Sequence, residues 1–336
     1  MRLSLIVLTY QSGAFIERCL DCLTRFDAEV ILADNGSDDL DWAHLRARFP
    51  DVKCLEFGDN LGFAAGNNRA AATATGDWLG FINPDAFADE GWLDAMQAAI
   101  TARPNIGIFT SLQLDAADPT VMDGAGDGMT FFGFPYRMGY RRPLPETLEA
   151  AEVLSPCGAA FVIRRDLWQE LQGFDERYFC YCEDADLGNR AFLMGHPTLF
   201  VPQARVLHMA SATFGRRSDF AIWHGYRNRP WLYVKAMPLS LLWWTWPIHI
   251  GLTLLLALAD TVKGRGGVVW PALWASLKGM GSALAAREKV QSQKVISSLR
   301  LAKVLTWNPV TIARRDIDHR RSSHVPSSPG PEGRNH

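Results

Sequence analysis

Between residues 3 and 110 the chain repeats one pattern: a short apolar run, a stretch of helical periodicity, then another apolar run. The runs at 3–9, 29–33, 52–57, 78–82 and 106–110 have the length and composition of buried strands. Ser12 opens a helix whose apolar positions Phe15, Ile16, Cys19, Leu20 and Leu23 follow the 3.6-residue period. Further helices are expected at 40–49, 64–74 and 89–102. Strands alternating with helices of this length predict an α/β fold, a mostly parallel sheet flanked by helices. Regularity falls from 111 to 153, which reads as loops or a short insertion. It returns with a strand at 158–163, a short helix capped by Asp166, a helix at 183–193 and a last strand at 199–207. The chain thus divides into an α/β domain over 1–215, an apolar helical extension over 216–315 and a disordered tail over 316–336.

The 336 residues carry 34 basic and 36 acidic side chains, a formal net charge of −2, so the composition gives no sign of a nucleic-acid partner. The opening run Met1-Arg-Leu-Ser-Leu-Ile-Val-Leu-Thr9 is too short for a secretory signal and has no small-residue cleavage site after it. It reads as the first strand of a cytosolic domain. Cys19 and Cys22 form a C-x-x-C inside a helical pattern, and Cys180 and Cys182 flank Tyr181. With no second C-x-x-C at zinc spacing, all six cysteines are expected to be buried structural thiols.

The candidate chemistry sits at strand ends. In a parallel sheet the C-terminal tips share one rim, where open α/β sheets bind their ligands. Those tips are Thr9-Tyr10, Asp34-Asn35-Gly36-Ser37 and Asn60-Leu61-Gly62; each alone is an ordinary turn, but together they point to a nucleotide site. Asp34 could accept from the N3–H of a pyrimidine base, and Tyr10 could stack on or flank it. Gly62 and Gly66 permit close backbone approach because they lack a Cβ. The fourth strand closes at Asn83-Pro84-Asp85, where Pro84 removes a ladder donor. Asp85 is then a carboxylate for a divalent cation, Mg²⁺ or Mn²⁺, bridging a diphosphate. His208, alone after the last apolar run, is a candidate second ligand that would favour Mn²⁺, imidazole being the softer donor. The cluster Glu183-Asp184-Ala185-Asp186 opens a helix, where the macrodipole favours negative charge. Neighbours on a helix point apart, so only one of Glu183 and Asp184 is expected to reach the reacting centre. One carboxylate for a metal, one for a proton and a late histidine compose a metal-assisted transfer site.

Five segments then carry a resemblance. Leu8-Thr-Tyr10, Asp34-Asn-Gly-Ser37, Asn60-Leu-Gly-Phe-Ala-Ala-Gly-Asn-Asn68, Asn83-Pro-Asp-Ala86 and Glu183-Asp-Ala-Asp-Leu187 fall in the order and spacing of inverting glycosyltransferase family 2. Over residues 1–215 the chain looks most like the rhamnosyltransferase-type branch. The resemblance implies the GT-A nucleotide-sugar-binding fold, a nucleoside-diphosphate sugar donor and a divalent cation at the Asp-x-Asp position. That position is Asn83-Pro84-Asp85 here, with an amide replacing the first carboxylate. Contacts to the nucleotide sugar are expected from Thr9, Tyr10, Asp34, Asn35, Ser37, Asn60, Gly62, Asn67 and Asn83. Metal ligation falls on Asp85 and His208, and the general base on Asp184 of the Glu183-Asp184 pair. The implied activity is metal-dependent, inverting sugar transfer to a lipid-linked or cell-surface glycan acceptor in envelope polysaccharide synthesis.

From 236 to 259 there are 24 positions without a charge, long enough to cross a bilayer. Seven of the twelve tryptophans lie between 223 and 274, a composition suited to the headgroup level. Pro247 and His249 interrupt a simple span, and the second apolar run at 266–286 contains Lys278, which would cost roughly 2.5–3.5 kcal/mol at mid-bilayer. A single crossing would also leave the basic tail outside, against the positive-inside tendency. A hairpin or interfacial pair at the cytoplasmic face of the cell membrane fits better than a soluble core or oligomer helix. Two other functions remain open. A sugar nucleotidyltransferase would show a Gly-rich phosphate loop near the first strand, where Thr9-Tyr-Gln-Ser-Gly13 has a single glycine. A non-catalytic nucleotide-binding membrane scaffold would require Asp85 and Asp184 to be dispensable. A dehydrogenase is disfavoured, because G-x-G-x-x-G is absent after the first strand.

Overall fold

The computed structural model describes residues 1–209 and 218–319. β1 (Leu3–Thr9), β2 (Glu29–Asp34), β3 (Lys53–Glu56) and β4 (Trp78–Ile82) pair in parallel in the order β4-β1-β2-β3. Their connections carry α1 (Gly13–Leu23), α2 (Trp42–Arg48) and α3 (Gly62–Ala71). β5 (Ala86–Ala88) and α4 (Trp92–Ala102) follow. Both faces of the sheet are covered, which is why these strands read as unbroken apolar runs. Ile16, Leu20, Trp92 and Met96 pack against one face with Leu5 and Val7, while Ala64 and Ala70 meet Ile6 and Leu8 on the other.

Beyond β4 the sheet is mixed. β6 (Ile108–Asp115) is followed by three short strands, β7 (Met122–Gly124), β8 (Asp127–Met129) and β9 (Pro135–Arg137), and then by β10 (Ala151–Val153). β11 (Ala160–Arg164) runs antiparallel between β4 and β6. After α5 (Arg165–Leu171) and α6 (Glu183–Leu193), β12 (Thr198–His208) returns parallel to β6. The segment expected to be loops or an insertion therefore holds the end of β6 and four strands of three residues each. Three residues are too few to display a period-2 pattern. Two expected caps also differ: Ser12 Oγ donates to the Tyr10 carbonyl at 3.0 Å, and α5 starts two residues earlier, with Arg164 rather than Asp166 at its cap position.

The C-terminal part begins with α7 (Asp219–Ala236), α8 (Leu239–Asp260) and α9 (Gly266–Ser292). α8 runs antiparallel beside α7, with Tyr233 OH on Thr245 Oγ1 (2.8 Å) and Tyr226 OH on Asp260 (3.0 Å). Gly264, at φ +83°, turns the chain into α9, which returns alongside α7 through Trp231 Nε1 on the Ser276 carbonyl and Gln291 on that of Lys235. α8 is amphipathic in an inverted sense. Thr245, His249, Thr253 and Asp260 face inward, while Trp243 (68% exposed), Leu255 (61%) and Leu258 (55%) face out. α10 (Ser298–Val304) and α11 (Pro309–Arg314) then lead back to the sheet, where Thr306 N–H donates to the Met129 carbonyl. Residues 316–319, expected as the start of a disordered tail, are packed instead: Asp316 pairs with Arg142, Ile317 joins the Met122–Met138 cluster and His319 meets the Ala125 carbonyl. The remainder of that tail, and the expected domain boundary near 215, lie outside the described residues.

Candidate active site

A cleft of about 570 Å³ opens at the C-terminal rim of the sheet, with the strand tips on one side and α7 and Arg315 on the other. Nine of the thirteen expected site residues line it: Tyr10, Asn35, Asn60, Gly62, Asn83, Asp85, Glu183, Asp184 and His208. Thr9, Asp34, Ser37 and Asn67 do not; they build the rim from behind. Asp34 Oδ1 accepts from Ser37 N–H and Ser37 Oγ from Gln11 N–H, each at 3.0 Å, while Asn67 donates to the Phe63 carbonyl and Thr9 is fully buried. The Asn35 amide ties the tip of β2 to the next loop, donating to Asn60 Oδ1 (2.9 Å) and accepting from Leu61 N–H (3.0 Å). Gly62 is left-handed at φ +83°, and a Cβ there would stand 2.5 Å from the Phe179 ring, so no other residue fits.

Pro84 takes the chain out of β4, and β5 pairs antiparallel with the end of β12, setting Ala86 opposite His208. That register brings His208 Nε2 to 3.4 Å from Asp85 Oδ1. On its other side His208 Nδ1 lies 2.7 Å from Asp123 Oδ2, which also receives Arg137 Nη1 at 2.5 Å. Burial alone would lower the His208 pKa; the hydrogen bonds to Asp123 and Asp85 outweigh it and raise the value. Asp123 and Arg137 were missed by sequence reading. Their only sequence signal is the Asp123-Gly-Ala-Gly-Asp-Gly128 run, whose composition is that of a loop. Among the described residues no group of three or more His, Cys, Asp or Glu side chains is arranged to hold a metal ion. Asp85 and His208 are two donors of suitable type, oxygen and imidazole, and Asp123 backs the histidine as a carboxylate commonly backs a ligating imidazole.

The second acidic pair enters from a strained turn. Phe179, Tyr181 and Cys182 all have positive φ (63°, 68° and 72°), a conformation that costs side-chain-bearing residues free energy and persists where the surroundings enforce it. Asn228 of α7 enforces it, its Nδ2 donating to the carbonyls of Tyr178 (3.0 Å), Cys180 (2.9 Å) and Tyr181 (2.7 Å). Below the turn, buried Lys235 lies 2.5 Å from Asp175 and 2.6 Å from Asp186, and Arg190 reaches Asp186 at 2.7 Å. Asp186 is therefore a structural member of the cluster.

Both Glu183 and Asp184 contribute to the wall of the cleft. They are the first two residues of α6, which follows the left-handed turn at Cys182. They differ in their partners. Asp184 accepts from Gly158 N–H (2.9 Å) and Ala185 N–H (2.7 Å), whereas Glu183 Oε2 is buried with no hydrogen-bond partner. Burial raises both pKa values; Asp184 is restrained by its backbone hydrogen bonds and Arg137, and Glu183 is pushed further by the Asp184 charge. Asp127, a cleft residue with no sequence signal of its own, is raised by burial and by Asp184.

Residues 4–171 match the family model described as Glycosyl transferase family 2. The chain belongs to glycosyl transferase family 2. It is 33% identical over 242 residues to N-acetylglucosaminyl-diphospho-decaprenol L-rhamnosyltransferase of Mycobacterium tuberculosis, covering 64% of this chain and 78% of that one. The fold matches the mannosyltransferase PcManGT from Pyrobaculum calidifontis, solved with GDP-Man and Mn²⁺, with a TM-score of 0.50, 18% identity and 87% of both chains covered. It also matches GalNAc-T7, solved with UDP, GalNAc and Mn²⁺, with a TM-score of 0.52, 17% identity and 71% of this chain against 52% of that one. The chain is thus a glycosyltransferase, rhamnosyltransferase-like, built on the mixed α/β GT-A sheet with an added apolar helix.

The Asn228 clamp makes a direct test. Asn228→Ala removes the amide donor from the Cys180 and Tyr181 carbonyls, each bond worth about 1 kcal/mol net, while the Tyr178 carbonyl keeps Arg227 and Cys180 N–H. Tm should fall, limited proteolysis should cut near 177–182, and transferase activity should drop at least about tenfold while far-ultraviolet circular dichroism stays unchanged.

Proposed function

We propose that this family 2 enzyme transfers rhamnose, with inversion, from a nucleoside-diphosphate sugar to a lipid-linked glycan acceptor at the cytoplasmic face of the cell membrane. One observation carries the reading: Asp85 at the end of β4 and Asp184 at the start of α6 line a single cleft with the nucleotide-side tips Tyr10, Asn35 and Asn60. The Mycobacterium tuberculosis relative, whose name specifies a decaprenol-linked diphosphate sugar, supports the choice of sugar and acceptor class.

The donor's nucleoside lies on the tips of β1 to β3, and its diphosphate points toward Asp85. The acceptor hydroxyl approaches the anomeric carbon from the side opposite the diphosphate. As the new C–O bond forms and the bond to the diphosphate breaks, Asp184 takes the hydroxyl proton and the nucleoside diphosphate leaves with the bonding electron pair. Gly158 and Ala185 N–H hold the Asp184 carboxylate in place. Burial and the neighbouring Asp184 charge push the Glu183 carboxyl toward its neutral form.

Asp85 and His208 Nε2 would hold a divalent cation, with diphosphate oxygens completing its shell, as is usual for small hard cations at phosphate sites. Bound there, it supplies Lewis-acid neutralisation of the leaving diphosphate. His208 fits this role because Asp123 orients it through Nδ1, leaving Nε2 toward Asp85.

The inverted α8 supports membrane attachment. A helix that turns threonines, a histidine and an aspartate inward and tryptophans and leucines outward matches an apolar surrounding. Its pairing with α9 through Gly264 suits a hairpin lying in the interface, with Trp243, Trp244 and Trp246 at headgroup level.

Four outcomes test the reading. Asp184→Asn should reduce turnover by about 10²–10⁴-fold with donor binding nearly unchanged, and Glu183→Gln should be milder. Because the Asp184 pKa is raised, activity should be lost as the pH falls through a value above the ordinary aspartate value of about 4, and a rate profile flat to that point would exclude Asp184 as the base. Asp85→Ala should abolish activity in a folded protein, and excess chelator should do the same to the parent chain; full activity in chelator removes the cation from the mechanism. Full-length protein should stay with membranes through a high-salt wash and leave in detergent, because buried apolar area is not screened. Wholly soluble behaviour without detergent would assign α8 to a subunit interface.

A further inference from the structure

Two arginines in the cleft have no place in the chemistry above. Arg229 of α7 and Arg315, just beyond α11, both line it, and neither has an ion pair among the described residues. The Arg229 guanidinium lies over the Phe134 ring at 4.4 Å, and its Nη1 is buried with no hydrogen-bond partner. Arg315 sits in a left-handed conformation (φ 53°) over the Tyr140 ring at 5.1 Å. The two charges are close enough to repel one another. Asp127 of the same cleft feels the Arg315 charge without closing a salt bridge to it, and Glu183 and Asp184 pair with neither arginine. Arg229 is half-buried, its Nη1 edge has no hydrogen-bond acceptor, and the Phe134 and Tyr226 rings face its charge. The nearby Arg315 charge adds to the cost of holding it there. An arrangement of this kind suits an anion that arrives with the substrate, and the planar fork of arginine suits phosphate oxygens.

Position narrows the anion. Phe134, under Arg229, packs edge-on against His249 of α8 at 5.1 Å, and His249 Nε2 is likewise buried without a partner. The arginine pair thus stands where the cleft meets the helix whose outer face is tryptophan and leucine. The nucleotide-side tips and Asp85 belong to the sheet rim, across the cleft from α7.

We propose that Arg229 and Arg315 form a subsite for the diphosphate of a prenyl-diphosphate-linked acceptor, with the prenyl chain along the outer face of α8 and the sugar directed toward Asp184. The proposal rests on the reading of a lipid-linked acceptor and names the residues that recognise it. A diphosphate could also come from the donor, so the test separates the two sources.

Full-length protein in detergent would be titrated with farnesyl diphosphate as the acceptor-side probe, and separately with UDP and dTDP as donor-side probes. Parent chain, Arg229→Gln, Arg229→Lys and Arg315→Gln would be compared. Each Gln variant should weaken farnesyl diphosphate about tenfold, Arg229→Lys should recover part of the loss, and nucleoside diphosphate binding should stay within about twofold. Unchanged farnesyl diphosphate binding in Arg315→Gln, whose exposed side chain is dispensable for folding, overturns the subsite. Equal weakening of the nucleoside diphosphates assigns the arginines to the donor and overturns it as well. The transferase reading fails differently: farnesyl diphosphate would bind through the arginines as expected, while no nucleotide sugar would be turned over with any lipid-linked acceptor.

Discussion

The antiparallel pairing of three residues, Ala86–Ala88, with the end of β12 holds the cleft together. Proline at 84 makes it possible, since without an N–H to donate the chain cannot continue along β4 and turns out of the ladder. The turn leaves Asp85 at the rim, and the new register sets His208 beside it. Because β12 also pairs in parallel with β6, and β7 folds back on β6, the same strand end meets Asp123. A slip of one residue in the β5–β12 pairing would turn His208 to the opposite face and dissolve the array.

The other wall depends on α7 in a comparable way. The turn at 179–182 carries positive φ at three residues with side chains, and would relax without the Asn228 amide and the Lys235 charge beneath it. α7 is also the helix on which α8 and α9 pack. One element therefore both presents Glu183 and Asp184 to the cleft and supports the apolar helices.

The polarity of α8 gives the C-terminal part its meaning. Composition marks 236–259 as apolar, and the pattern of burial adds that its few polar groups are turned inward, Thr245 onto Tyr233 and the adjoining Asp260 onto Tyr226. That arrangement leaves the tryptophans outward beside a cleft that holds two unpaired arginines.

Local pattern determined a great deal by itself. The βα alternation, the strand ends at Thr9, Asp34 and Ile82, the helix over 183–193 and the apolar extension were all legible, because each depends on the periodicity of a few consecutive residues. So were nine of the cleft residues, since strand tips in a parallel sheet must share one rim. Tertiary structure alone decided the rest. Asp123, Asp127 and Arg137 lie on strands of three residues, too short to show a pattern. Asn228 and Lys235 act across about fifty residues of chain, and Arg315 enters the cleft only because the segment after α11 folds back over β7 and β8. Beyond the glycine-rich run at 123–128 the sequence gives no sign of these contacts, because a hydrogen bond or a charge contact depends on distance in space, and distance between elements far apart in the chain is set by how the whole core packs.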